Sequence, residues 1–268
     1  MPKMDIPSNK EQLMNHPDTQ SKLLEVFLQD GFVCVPQFLD QEAQRELLEN
    51  VQRFIHEVVP VIPHDQVFYE DKRNPLTLKQ IQHLEAHDTW FRDLFIDSPF
   101  TAIAETMLGT KCIPMNLQYF NKPPRTSQPT PPHQDGFYFM IAPCNAVTMW
   151  LALDEVDEKN GCVRYVRGSH HEGLHPHTQT TTLGFSQEIE HYDDLPAIDR
   201  ETPTKALPGD LLIHHAMTIH RADANESPDR QRRALGFIYY SADAKPDHVT
   251  HAAYQQRLKR EWKQADRI

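Results

Sequence analysis

Apolar residues in the first part of the chain recur with the period of an α-helix. Between positions 41 and 58 they keep to one face of such a helix, at Leu47, Leu48, Val51, Phe54, Ile55 and Val58. Asp40 precedes this stripe and can accept hydrogen bonds from the first free backbone N–H groups, so the sequence predicts a helix that begins there. A helix over about 19–29 with a short strand over 31–36 is predicted before it. A shorter helix is predicted after it, from Leu78, Ile81 and Leu84.

Another helix of this region is marked at both of its ends. Ser98 is a favourable N-cap, Pro99 fits the first helical position, and Gly109 follows Leu108 where a helix often ends. The chain before about position 110 is therefore expected to be mainly helical.

The pattern changes after Gly109, where short apolar runs and turn residues replace the helical period. The run 146–153 is almost continuously apolar, which is typical of a strand that is buried on both faces. Asn160-Gly161 is a strong signal for a hairpin turn. The remaining strands are predicted over 162–166, 211–215 and 236–240. Residues 170–203 have little periodicity, so a long loop is expected there.

Helices first and strands afterwards indicate a single α+β domain over 1–268 with a mainly β core. The expected parts are a helical segment over about 1–110, an antiparallel sandwich or barrel over about 111–241, and a closing helix over about 250–264. The helices are expected to pack on one side of the β core.

Composition excludes several classes of function. The 268 residues have a formal net charge of −11 without a basic block, so contacts with nucleic-acid phosphates are not expected. The chain has no run of about 18 apolar residues and a polar N-terminal segment, so neither a membrane span nor a secretory signal is expected. Widely spaced cysteines favour reduced, buried thiols, at Cys34, Cys112, Cys144 and Cys162. These features favour a soluble cytoplasmic protein and leave its oligomeric state open.

One group of polar residues has the composition of a metal site. His133 and Asp135 are two positions apart, and on an extended strand such side chains point to the same face. His220 comes much later, after the turn and strand over 208–215, where a jelly roll can bring it onto a neighbouring strand. Two imidazoles and one carboxylate leave three positions open on an ion, as in non-haem Fe(II) oxygenases. A surface turn without metal is the alternative for an isolated His-x-Asp.

Arg232 supplies a second kind of signal. It follows His220 and leads into the last predicted strand, 236–240. A guanidinium is the side-chain group best suited to bind the distal carboxylate of a 2-oxo diacid through two hydrogen bonds. In a strand, Arg232 and Arg233 would face opposite ways. One of His214 and His215 is likewise expected to face inward, in a packing role rather than as a metal ligand.

The chain resembles the phytanoyl-CoA dioxygenase (PhyH-like) family over about 118–240, and more weakly over 30–39. The matching segments are Asn121–Pro124, Pro132–Asp135, Met149–Ala152, Asn160–Cys162, Gly168–His170, Pro208–Asp210, His220 and Arg232–Ala234. Their order and spacing are more specific than any single motif.

This resemblance implies a double-stranded β-helix, a jelly-roll or cupin-like fold, with helices packed on one side. It also implies roles for six residues: His133, Asp135 and His220 as Fe(II) ligands, Arg232 as the partner of 2-oxoglutarate, and Trp150 and Gln118 beside that cosubstrate. Arg221 and Ala222 depart from the pattern, because many members have glycine and then a hydroxyl residue there. One hydrogen bond to the cosubstrate is therefore lost. Asp135 argues against halogenation, since related halogenases carry a small residue at that position.

The implied reaction is hydroxylation of an unactivated C–H bond in a small molecule. It consumes O₂ and 2-oxoglutarate and forms succinate and CO₂, and ascorbate is the expected reductant in vitro. The alternatives are desaturation or ring formation at the same iron, a non-catalytic metal-binding sensor or binding protein, and a zinc hydrolase, which has no need of Arg232.

Substrates of the family include acyl-CoA thioesters, osmolytes, organophosphonates and natural-product intermediates, and the sequence does not choose among them. Four cations could meet an anionic substrate, but the favoured interpretation is that each is a surface charge: Lys122, Arg125, Arg164 and Arg221.

Overall fold

Two antiparallel sheets form the centre of the molecule, and the computed structural model describes residues 17–180, 182 and 186–264. The strands are β1 (Phe32–Val35), β2 (Val67–Tyr69), β3 (Leu78–Ile81), β4 (Cys112–Asn121), β5 (Thr130–His133), β6 (Ile141–Ala142), β7 (Ala146–Ala152), β8 (Val163–Val166), β9 (His177–Gln179), β10 (Gln187–Ile189), β11 (Glu201–Thr204), β12 (Leu211–His215), β13 (His220–Ala222), β14 (Arg233–Ser241) and β15 (Lys245–Pro246). The helices are α1 (Pro17–Asp30), α2 (Gln41–Arg53), α3 (Leu84–His87), α4 (Thr89–Phe95), α5 (Pro99–Leu108), α6 (Asp135–Phe139) and α7 (His248–Gln264). Within these residues, the large sheet has the order β1-β12-β7-β14-β4-β3-β2, and a smaller sheet has the order β11-β8-β13-β5.

Alternate residues of the large sheet face two different environments. In β7, Met149 and Leu151 belong to the apolar core on the helical side, whereas Trp150 and Ala152 belong to a second core on the other side. In β14, Leu235 belongs to the core on the helical side. Side chains of a strand alternate between faces, so β7 must be apolar at almost every position to bury both. This is why its sequence lacks the polar alternation of a half-exposed strand.

Helices α1 to α5 pack on one side of the large sheet, as the sequence predicts, whereas Phe139 of α6 packs against Tyr240 on the other side. Apolar residues of α1, α2, α4 and α5 share one core with the sheet, and the Phe100 ring stacks on Phe237 of β14 with centroids 4.0 Å apart. Asp40 caps α2, because its Oδ1 accepts the N–H groups of Glu42 and Ala43 at 3.0 and 2.9 Å. The predicted stripe continues beyond α2 in a turn of π-helix, Phe54–Val58.

The helix predicted around Leu78 and Ile81 is wrong. Those residues form β3, which pairs with β2 and β4, and the following Leu84–His87 forms a single helical turn. All four residues of β3 are buried. A spacing of three within so short a segment fits either structure, and pairing with the sheet decides the outcome.

The small sheet faces the large one across the second core and completes a double-stranded β-helix. Phe32 of β1 stacks on Tyr165 of β8 with ring centroids 4.5 Å apart, and Trp150, Leu212 and Val163 pack around them. The residues of the candidate site lie between these two sheets or at their edges.

The hairpin predicted at Asn160-Gly161 is also wrong. The strand before the turn, β7, belongs to the large sheet, whereas β8 after it belongs to the small sheet. Gly161 has a φ of +84°, and a Cβ there would meet the Asp223 backbone oxygen at 2.5 Å. The turn therefore needs glycine, but it connects two sheets rather than two paired strands.

The segment 170–203 contains more structure than the long loop expected there. The described part of it includes β9 and β10, which pair as a small antiparallel ladder, and the edge strand β11. Residues 181 and 183–185 lie outside the described residues. The closing helix is α7, as predicted. Among the described residues, no helix combines the length and apolarity needed to cross a membrane.

Candidate metal centre

His133, Asp135 and His220 come together between two adjacent strands of the small sheet. His133 is the last residue of β5, and His220, the first residue of β13, is its register partner. One ligand atom from each of the three residues lies within 4.8 Å of the others. Asp135 reaches the group differently from the prediction, because it is the first residue of α6 and not part of the strand. Gln134, which lies between His133 and Asp135, is nevertheless extended, with φ −123° and ψ 127°, so those two residues point to the same side across it.

The orientation of both imidazoles is fixed by backbone carbonyls. Nδ1 of His133 lies 2.7 Å from the oxygen of Pro131, and Nδ1 of His220 lies 3.0 Å from the oxygen of Thr218. Because a carbonyl only accepts, each Nδ1 is the donor in this contact, and Nε2 is the ring nitrogen that faces the candidate site. The Nε2 atoms of His133 and His220 lie 3.5 and 3.7 Å from Oδ1 of Asp135.

The other carboxylate oxygen of Asp135 is held by two side chains of the large sheet. Thr148 of β7 donates its hydroxyl proton to Oδ2 over 2.5 Å, and Nε2 of His214 in β12 lies 3.1 Å from the same atom. Tyr165 lies on the far side of His214, with its hydroxyl 3.0 Å from Nδ1. The inward-facing member of the His214–His215 pair is thus His214, in contact with a candidate ligand.

Protonation at the site suits a metal ion. Burial raises the pKa of Asp135, but its contacts with His133 and His214 outweigh burial and hold that pKa well below its usual value. Burial, followed by the neighbouring imidazoles, lowers the pKa of His220 well below its usual value. A carboxylate and a neutral imidazole are the forms that bind metal ions.

Arg232 is a buried cation next to an aromatic ring. It is 5% exposed, its Nε donates to the oxygen of Gly161 at 2.9 Å, and its guanidinium carbon lies 5.1 Å from the centre of the Trp150 ring. Burial lowers its pKa to about 10, so it remains charged at neutral pH. Across the described ranges of the chain, no acidic side chain pairs with it. A buried cation in this state is suited to an anionic ligand.

Arg233 faces the opposite way, as the sequence predicts, and is half-buried in an ion pair with Asp154. Its Nε and Nη2 donate to Asp154 at 3.0 and 2.6 Å. Arg232 itself immediately precedes β14 instead of lying in it.

Gln118 lies in β4 on the same side of the large sheet as Trp150, because both are register partners of Gly236. It is buried, and its Oε1 accepts a hydrogen bond from Nε2 of Gln80 at 2.7 Å. The structure thus places Gln118 and Trp150 on either side of a glycine, and Arg232 against Trp150.

The prediction that Lys122 is a surface charge is wrong. Lys122 is 5% exposed, its N–H donates to the oxygen of Arg232 at 3.1 Å, and its Nζ donates to the oxygen of Gln128 at 2.6 Å. Burial, and then the charge of Arg232, lower the pKa of Lys122 well below its usual value. Arg221 does face outward, where it pairs with Glu201 and Asp223.

Sequence reasoning assigned no role to Gln134, and the structure shows one. This side chain is fully buried, and its Nε2 donates to the oxygens of Gly173 and Met217 at 2.7 and 2.6 Å. Its Oε1 accepts the N–H of His175 at 2.8 Å. Gln134 thereby ties the β5–α6 junction to two distant segments. Its place between two candidate ligands was the one available signal.

A model of the phytanoyl-CoA dioxygenase (PhyH) family matches residues 27–234, which is well over half of the chain. The chain belongs to this family. The match spans the whole metal group, Gln118, Trp150 and Arg232. The family resemblance seen in the sequence motifs is therefore confirmed.

Curated members of the family are distant relatives of the chain. The probable alpha-ketoglutarate-dependent hypophosphite dioxygenase of Stutzerimonas stutzeri is 27% identical over 231 residues, which cover 82% of this chain and 78% of that protein. The peroxisomal phytanoyl-CoA dioxygenase of Rattus norvegicus is 27% identical over 173 residues, or 62% of this chain. The matched part spans 50% of the rat protein.

Solved structures confirm the predicted fold. The non-heme alpha ketoglutarate dependent epimerase SnoN from nogalamycin biosynthesis has a TM-score of 0.68 at 24% identity, with 87% of this chain and 88% of that chain covered. EctD from S. alaskensis, in complex with 2-oxoglutarate and 5-hydroxyectoine, has a TM-score of 0.69 at 15% identity, with 82% and 76% covered. The jelly-roll fold is common to this chain and these proteins.

Proposed function

We propose that this protein is an Fe(II)- and 2-oxoglutarate-dependent oxygenase of a small-molecule substrate, with the metal held by His133, Asp135 and His220. The observation that carries the proposal is the convergence of these three side chains. Their ligand atoms lie within 4.8 Å of one another, inside a fold that belongs to the family.

The ligand atoms of His133, Asp135 and His220 fit an Fe(II) ion. Two imidazole nitrogens and one carboxylate oxygen make the facial triad that suits non-haem Fe(II). Bound Fe(II), with 2-oxoglutarate and O₂, supplies oxidation of an unactivated C–H bond, coupled to formation of succinate and CO₂. The chain's own residues orient the ligands, exclude water and select the substrate.

Arg232 is the proposed partner of the distal carboxylate of 2-oxoglutarate. It is buried and charged, and Trp150 supports its guanidinium from one side. A bidentate contact with a carboxylate would compensate the cost of burying this charge. Gln118, on the same side of the sheet, is proposed to lie beside the cosubstrate. Ala222 has no hydroxyl that could donate a hydrogen bond to the cosubstrate.

Hydroxylation is the proposed outcome, and a metal-binding protein without turnover is the alternative. Production of succinate from 2-oxoglutarate, with Fe(II) and ascorbate, separates the two. A zinc hydrolase would leave Arg232 without a function.

The proposal is tested by replacing each ligand in turn. His133→Ala, Asp135→Ala and His220→Ala should each abolish Fe(II)-dependent formation of succinate, because the remaining pair cannot hold the ion firmly. His191→Ala is the matched control, since that side chain is 83% exposed. Near-normal turnover by His220→Ala would show that the triad is assigned wrongly. Thermal melting of every variant shows whether the fold is intact.

A further inference from the structure

The carboxylate of Asp135 is held asymmetrically. Oδ1 faces Nε2 of both His133 and His220, at 3.5 and 3.7 Å. Oδ2 faces away from that pair and contacts Thr148 and His214, at 2.5 and 3.1 Å. Two residues of the large sheet thus hold the oxygen that the candidate ligands leave free.

His214 has the position of a third imidazole at the site but not the geometry of a ligand. Its ring centroid lies 4.4 Å from that of His220, yet its Nε2 faces Asp135 Oδ2 and its Nδ1 faces the Tyr165 hydroxyl at 3.0 Å. Both ring nitrogens are therefore occupied within the protein.

The direction of these hydrogen bonds follows from the groups involved. A carboxylate only accepts, so Nε2 of His214 carries the proton and donates to Oδ2. In the ring that has its single proton on Nε2, Nδ1 accepts, and the hydroxyl of Tyr165 is its donor. Tyr165 fixes the tautomer of His214, and His214 fixes the carboxylate of Asp135. The side chain of His214 is 4% exposed, so water has little access to the hydrogen bonds between Tyr165, His214 and Asp135.

We propose that His214 and Thr148 are positioning residues that hold Asp135 with a single oxygen directed at the metal, and that Tyr165 sets the donor tautomer of His214. This inference rests on the proposed role of His133, Asp135 and His220. Two donors on Oδ2 oppose rotation of the carboxylate into a bidentate position. A bound ion would then keep three positions open, two for a 2-oxo acid and one for O₂.

The test compares His214→Phe, which keeps an aromatic ring but has no donor, with His214→Gln, which keeps an amide N–H. Loss of such a supporting hydrogen bond typically lowers metal affinity by about 10–100-fold. Calorimetry with Co(II), and with Fe(II) under anaerobic conditions, should show a loss of this size in His214→Phe and a smaller one in His214→Gln. The charge-transfer band that forms when 2-oxoglutarate is added to the Fe(II) protein should weaken in the same order. A purely structural role would not produce rescue by the amide.

His215→Gln is the control, because His215 lies on the opposite face of β12 and packs near Phe27 and His170. It should bind metal like the wild type. If His214→Phe does not fold, Thr148→Val and Thr148→Ser provide the same comparison at the second donor, with the loss expected for valine alone.

The outcomes separate this inference from the proposed function. Wild-type metal affinity and an unchanged charge-transfer band in both His214→Phe and Thr148→Val would overturn the positioning role and leave the triad standing. Failure of the wild-type protein to bind Fe(II) or Co(II), or unchanged binding by His133→Ala, would overturn both.

Discussion

At two places in this protein, two consecutive residues of the same type have different partners. His214 contacts Asp135 while His215 packs toward α1, and Arg232 lies against Trp150 while Arg233 pairs with Asp154. Extended backbone places neighbouring side chains on opposite faces, so one of each pair must face the space between the sheets. At this scale the sequence could predict that the members of a pair differ, and the family pattern indicated which arginine faces inward.

Contacts between distant strands were beyond prediction from the sequence. Thr148, Tyr165 and His214 lie on β7, β8 and β12. Nothing in their local sequence shows that Thr148 and His214 meet at Asp135, or that Tyr165 contacts His214. The burial of Lys122 was missed for the same reason. A lysine after a strand is normally exposed, and its environment here depends on Arg232 and Gln128, which lie in other segments.

Arg232 and Arg233 give the sharpest prediction at the residue scale. Arg232→Ala should weaken 2-oxoglutarate binding by about 2–5 kcal/mol, at least about tenfold in affinity, because the anion loses a charge-assisted partner in a buried site. Arg232→Lys should also weaken 2-oxoglutarate binding, since an ammonium cannot make the two parallel hydrogen bonds of a guanidinium. The dissociation constant is measured from the charge-transfer band under anaerobic Fe(II).

Arg233→Ala is the control for those variants. It breaks an ion pair with Asp154 on the opposite face and should leave cosubstrate affinity unchanged, whatever it does to stability. If Arg233→Ala is damaging and Arg232→Ala is silent, the roles are reversed. If neither affects binding, 2-oxoglutarate is not the cosubstrate.

Secondary-structure elements were predictable where chain-local chemistry determines their ends. Asp40 begins α2, and Pro99 and Gly109 bound α5, because capping depends on residues within one turn. Pairing between strands was not predictable in the same way. The turn at Asn160-Gly161 has the residues of a hairpin, but the strands on either side pair in different sheets. Likewise β3 has the spacing of a helical turn, and its position beside β4 makes it a strand.

The cap of α2 can be tested directly. Asp40→Ala should lower the free energy of unfolding by about 1 kcal/mol, because two backbone N–H groups lose their acceptor. Asp40→Asn retains an acceptor oxygen and should cost much less. Denaturant unfolding measures both, and the denaturant dependence of the free energy should not change. Equal losses in the two variants would mean that the negative charge, not the cap, stabilises this helix.

At the scale of the whole molecule, the candidate metal centre joins the two sheets. His133 and His220 belong to the small sheet, whereas Thr148 and His214, which hold Asp135, belong to the large one. The fold class and the three candidate ligands were predictable from the order and spacing of motifs. The bridging arrangement was not, because it depends on how the sheets face each other.

This arrangement predicts that a bound ion stabilises the entire fold. An ion that binds only the folded protein stabilises it by about 2.7 kcal/mol at a free concentration one hundred times its dissociation constant. For a domain of this size, that corresponds to a rise of roughly 5–10 °C in melting temperature. Melting the protein with Fe(II) under anaerobic conditions, and again after addition of a chelator, measures the effect and its reversal. His220→Ala should show almost no rise, whereas Arg232→Ala should show the full rise, since Arg232 is a proposed partner of the cosubstrate and not of the metal. An equal rise in wild type and His220→Ala would mean that the ion binds elsewhere, and that the three convergent side chains do not form the metal centre.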